Sequence, residues 1–79
     1  MNNRRVKGWD FEFISQDEGN HSFFQSRGAV MYDDEHDEIC EPSLWKACLK
    51  LKNDLENEGH HAEANYSEKG WAEVTLINR

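Results

Sequence analysis

The side chains best suited to chemistry in this 79-residue chain are four histidines and two cysteines, and their spacing stops short of a metal site. His36 and Cys40 lie four residues apart, and His60-His61 follow much later in the chain. Zinc takes imidazole nitrogen and thiolate sulfur at about 2.0–2.3 Å in a tetrahedral set, and structural sites draw on two closely spaced ligand pairs. Here there is one such pair. His36 and His60 also bracket a segment that reads as a helix of about 25 Å at about 1.5 Å per residue, so one ion joins them only if the acidic stretch folds back. The expectation is no metal and no cofactor, with exposed imidazoles and a buried thiol.

Calcium fares no better. Asp33, Glu35 and Asp37 alternate as oxygen ligands do, but an EF-hand loop starting at Asp33 needs glycine at its sixth position and glutamate at its twelfth, where this chain has Glu38 and Leu44. A solvated acidic stretch is the plainer reading. A nucleophilic cysteine needs a neighbouring base and a depressed pKa. Cys48 falls on an apolar helical stripe, which raises a thiol pKa, and Cys40 is surrounded in sequence by carboxylates that disfavour a thiolate. Asp10, Glu12 and Glu73 sit on strand patterns where exposed carboxylates serve solubility and discourage edge pairing. The glycines, at 8, 19, 28, 59 and 70, form no phosphate-binding loop. The chain therefore reads as non-enzymatic.

Charge is the most informative property. The net charge is −7, and it is unevenly spread: +3 over residues 1–7, −9 over residues 8–45 and −1 over the remainder. Residues 33–41 alone hold Asp33, Asp34, Glu35, Asp37, Glu38 and Glu41. Such a field repels phosphates, so direct nucleic-acid binding is not expected. The same carboxylates form a candidate acidic patch for a basic protein partner, including one whose own groove takes nucleic acid. Phe23, Phe24, Tyr32 and Trp71 are the candidate aromatic contacts beside it, because nine aromatics exceed what one helix can cover. The composition resembles that of small acidic accessory proteins of phages and mobile elements.

The elements that must position these groups follow from periodicity. Trp9-Asp10-Phe11-Glu12-Phe13 alternates strictly and reads as a half-buried strand. Residues 15–20 are turn-rich, with Gly19-Asn20 able to reverse the chain, and residues 21–32 form a second extended run interrupted by Gly28. Residues 33–41 read as a loop. Pro42 suits a first helical position, and Leu44, Ala47, Cys48, Leu51 and Leu55 recur at helical spacing up to Gly59, predicting an amphipathic helix over about 42–58. Residues 60–66 alternate weakly and are open to either a strand or a helical extension. Ser67-Glu68-Lys69-Gly70 reads as a turn, and Trp71-Ala72-Glu73-Val74-Thr75-Leu76-Ile77 as a strand.

These elements predict an α+β domain over residues 8–79, preceded by a flexible basic tail at residues 1–7. The sheet is antiparallel, with three to four strands in the order ββαββ and the helix packed on one face. At this length nearly every large apolar residue must serve the core, leaving little volume for a deep pocket. No apolar run is long enough for a membrane span and the first residues lack a secretory signal, which predicts a cytoplasmic protein with no membrane partner. The two cysteines fit a reduced compartment. The expected function is that of a small acidic protein-binding or regulatory module. The alternatives are a metal-responsive protein using His36, Cys40, His60 and His61, and a structural homodimer formed through the open face of the sheet.

Overall fold

A computed structural model describes residues 2–16, 21–67 and 70–77. Among the described residues, seven strands and one helix follow in the order β1 (Arg4–Val6), β2 (Trp9–Gln16), β3 (His21–Arg27), β4 (Met31–Tyr32), β5 (Glu38–Ile39), α1 (Pro42–Asn57), β6 (His61–Ser67) and β7 (Trp71–Ile77). The main sheet is five-stranded and antiparallel throughout, in the order β1-β2-β3-β7-β6, while β4 and β5 form a separate two-stranded ribbon. The α+β class and the single helix agree with the sequence reading. The sheet is larger than the three to four strands expected, and the ββαββ order holds only roughly.

The fifth strand comes from the segment expected to be a flexible tail. Arg4, Arg5 and Val6 pair with Phe11, Asp10 and Trp9, joined by a two-residue turn in which Lys7 and Gly8 have φ of 51° and 85°. Two successive positive φ values define the tight hairpin turn whose twist matches that of its strands, and glycine at the second position adopts it without a Cβ clash. Val6 then enters the core.

The extended run expected over residues 21–32 is divided. Its first part is β3; its last two residues leave the sheet and pair with Glu38-Ile39, so part of the expected acidic loop is a strand. The break falls at Gly28, whose N–H donates to the carbonyl of Gly70 at 2.9 Å. A Cβ on Gly70, which has φ +84°, would lie 2.5 Å from the Gly28 carbonyl oxygen, so the close approach of the two chains requires glycine there. The ambiguity over residues 60–66 resolves as strand β6, in full register with β7. The helix stops because the Gly59 and His60 N–H groups turn back onto the Glu56 and Leu55 carbonyls at 3.0 Å each, satisfying the last turn before the chain reverses. Of the turns expected over residues 15–20 and 67–70, Ser15 and Gln16 belong to β2 and Ser67 to β6, and residues 17–20 and 68–69 lie outside the described residues.

The helix covers one face of the sheet. Leu44, Ala47, Cys48, Leu51 and Leu55 meet Phe11, Phe24, Ala62, Ala72, Val74 and Leu76, all buried. Among the described residues, no helix is long and apolar enough to cross a membrane.

Candidate protein-binding surfaces

Two surfaces remain uncovered by the core: the ribbon and the sheet face opposite the helix. The ribbon is built from the tip inward. The Asp33 carboxylate Oδ1 accepts the N–H groups of Glu35 and Asp37 at 2.9 and 3.0 Å, and its main chain exchanges bonds with Asp37 and His36 at 3.0 Å. Aspartate favours such a turn because its short side chain replaces missing backbone partners. Asp33 is thus committed to holding the tip, while Asp34, Glu35, Asp37 and Glu38 are exposed around it.

Glu41 is committed at the root. Its two carboxylate oxygens accept the Ala29 N–H and the Ser43 hydroxyl, each at 3.2 Å, fastening the chain that enters the ribbon to the start of the helix. Of the six carboxylates expected in one acidic patch, Asp34, Glu35 and Asp37 are exposed in the tip turn, Glu38 is exposed on β5 opposite Tyr32, Asp33 shapes the tip and Glu41 anchors the root. Beside them the ribbon exposes Val30, Met31 and Tyr32 in succession, Tyr32 to 57%. Tyr32 was expected as a contact residue. Val30 and Met31 were not, and the signal for them was an apolar pair separated from the six-acid stretch by Tyr32 alone.

The four candidate aromatics separate. Phe24 is completely buried, its ring 5.0 Å from that of Phe13 and with the Arg4 guanidinium 5.9 Å from its centroid, so its expected role as a partner contact is corrected to a core residue. Phe23, next in the chain, points to the opposite face because strand side chains alternate. There it is half-buried with Ile14, Thr75 and Ile77. Trp71 lies on the same open face under the Arg27 guanidinium, 5.5 Å from the ring centroid. Beside Trp71 is an open cleft of about 420 Å³ lined by Asp10, Glu12, Gln25 and Arg27. It lies where β2 changes partners: residues 9–11 pair with β1 and residues 12–16 with β3.

The histidines and cysteines are not brought together. His36 is exposed at the ribbon tip, Cys40 is buried at the helix start, and His60 and His61 are exposed beyond its far end. Among the described residues, no three of His, Cys, Asp and Glu cluster as ligands for a metal ion. Both thiols are free, and both are made less acidic: burial raises the Cys40 thiol, reinforced by Glu41, and burial pushes Cys48 up to about 12, reinforced by Cys40 and Glu73. The Cys48 sulfur sits 3.4 Å from the Glu73 carbonyl oxygen, to which it donates.

Comparison of the chain with protein-family models, with curated proteins and with solved structures gives no match.

Proposed function

We propose that this chain is a non-catalytic module that binds a basic protein through its ribbon. The observation that carries this reading is the proximity, on one two-stranded ribbon, of consecutive exposed Val30, Met31 and Tyr32 to the exposed carboxylates of Asp34, Glu35, Asp37 and Glu38. Carboxylates held at a tip steer and orient a positively charged partner, while the neighbouring exposed apolar and aromatic side chains supply contact area that resists dissociation. Structured turns at tip and root lower the entropy lost when the ribbon is immobilised. A partner whose basic groove ordinarily takes phosphates matches this chemistry, and occupation by the ribbon would make the module its inhibitor. The suppressed acidity of both thiols supports a non-catalytic role.

The test is capture on immobilised protein followed by identification of what is retained. A basic protein should be held at low salt, released as salt rises, lost on reversing all four tip carboxylates to lysine, and weakened by Tyr32→Ala. A partner held equally by both variants would remove the ribbon from the interface and end this reading.

A further inference from the structure

The two edges of the sheet are unlike. β1 is three residues long and carries Arg4 and Arg5, features that discourage a further strand from pairing. β6 is seven residues long, with the sequence His-Ala-Glu-Ala-Asn-Tyr-Ser, and has no proline, lysine or arginine. It pairs with β7 on one side, and among the described residues no strand pairs with the other. Its outer row of backbone donors and acceptors is a template for one more strand.

The surroundings of this edge indicate which strand. Tyr66 on β6 is 49% exposed and meets Trp45 of the helix edge-on, with ring centroids 5.9 Å apart. Leu49, one helical turn beyond Trp45, is 44% exposed. Trp45 and Leu49 lie on the same flank of the helix, the flank that overhangs β6. The helix and β6 run in opposite directions. Two strand residues from Tyr66 to Ala64 span about 6.6 Å, and four helical residues from Trp45 to Leu49 span about 6 Å. Leu49 therefore stands nearly level with Ala64.

We infer that the chain forms a two-fold homodimer by antiparallel pairing of β6 with β6 of a second copy, centred on Ala64. That register uses the whole strand. It sets His61 opposite Ser67, Ala62 opposite Tyr66, Glu63 opposite Asn65, and Ala64 opposite itself. Each Tyr66 ring meets the small Ala62 of the second copy, and no like charges face each other, whereas centring on Glu63 would oppose two carboxylates. A two-fold axis at Ala64, normal to the sheet, keeps both helices on one side and brings the two Leu49 side chains towards each other across it. The product is one continuous ten-stranded sheet with the Trp45, Leu49 and Tyr66 strips buried between the copies. This contact is at the edge of the sheet, not on the open face where the sequence reading placed a twin.

Light scattering and sedimentation of the full chain across about 1 µM to 1 mM test the assignment. The mass should approach twice 9.3 kDa as concentration rises. Leu49→Glu and Asn65→Glu each change an exposed residue, so circular dichroism should remain that of the native fold while the dimer weakens by about tenfold or more. Asn65→Glu places a carboxylate opposite Glu63 of the second copy, and adding Glu63→Lys to it should restore the dimer, which reports the register itself. A wild-type mass that stays at 9.3 kDa throughout would overturn the inference. So would a dimer that ignores both single variants, or one that dissociates on Phe23→Lys instead.

Discussion

Phe23 and Phe24 are identical side chains on adjacent residues of β3, and the fold treats them in opposite ways. Phe24 is sealed under the helix beside Phe13 and in register with Val74, whereas Phe23 lies between Ile14 and Thr75 on the face opposite the helix, which no element among the described residues covers. The covered face collects Phe11, Phe24, Ala72, Val74 and Leu76 against five helical side chains. The open face mixes Ile14, Phe23, Trp71 and Ile77 with Asp10, Glu12, Glu63 and Glu73. An antiparallel sheet tolerates this asymmetry because one packed face suffices to bury a core while the other remains hydrated. The lesson is that aromatic content alone does not locate a binding surface: Phe24 shares its residue type and its neighbourhood in sequence with Phe23 and contributes only to stability.

The sharpest way to break this comparison is to truncate the two rings separately. Phe24→Ala should lower unfolding free energy by about 3–5 kcal/mol through lost burial and a residual cavity. For a domain of this size that corresponds to a fall in melting temperature of roughly 4–8 °C per kcal/mol, read by calorimetry. A loss under about 1 kcal/mol would contradict the complete burial assigned to it.

A second test lies within the covered face. Cys48 holds its proton more tightly when folded than when unfolded, so its contribution to stability is fully present below the ordinary thiol value of about 8.5 and declines as pH rises towards about 12. Thermal stability should therefore fall on the alkaline side, and Cys48→Ala should flatten that decline. At neutral pH, alkylation of Cys48 should wait for unfolding, as followed by mass spectrometry; rapid labelling of the native protein would show the thiol open to solvent.

Phe23→Ala should cost at most about 1 kcal/mol, the range of a cross-strand contact, in the same calorimetric measurement. Losses of equal size at positions 23 and 24 would erase the distinction between the faces.

The smallest effect is expected at the rim of the covered face, where Arg4 reaches from β1 to the end of the helix and donates to both Glu58 oxygens, at 2.5 and 2.7 Å. This hydrogen bonding, aided by the nearby positive charge, holds the Glu58 carboxyl below its ordinary value. Its contribution is present above the ordinary carboxylate value of about 4.3 and is lost as pH falls through the lowered folded value. Glu58→Gln should slightly shallow the acid limb of a stability-against-pH curve, and an unchanged limb would make the pair energetically silent.

The candidate ribbon was half legible. Six acids between residues 33 and 41 announced an exposed, carboxylate-rich segment. What they did not reveal was the division of labour, because whether a carboxylate faces solvent or holds a backbone N–H depends on the turn geometry. Asp33 and Glu41 are indistinguishable from their neighbours by composition, yet the Asp33 carboxylate accepts two main-chain N–H groups and that of Glu41 accepts one. Strand β1 was missed for a related reason: three basic residues in the first seven suggested a solvated tail, while the Lys7-Gly8 turn signal and the apolar Val6 beside it were too short to register as periodicity.

Local periodicity by itself determined the helix, the strand at residues 71–77, the alternation of residues 9–13 and the burial of Leu44, Ala47, Cys48, Leu51 and Leu55, because each depends on side-chain spacing within one continuous segment. Tertiary structure alone decided that the last strand lies between β3 and β6, that Phe24 and not Phe23 faces the helix, and that β6 is left at an edge. Those outcomes depend on pairing between segments distant in the chain. A two-residue period says that neighbours on a strand part company, but which of them is buried is set by the side of the sheet on which the helix comes to rest.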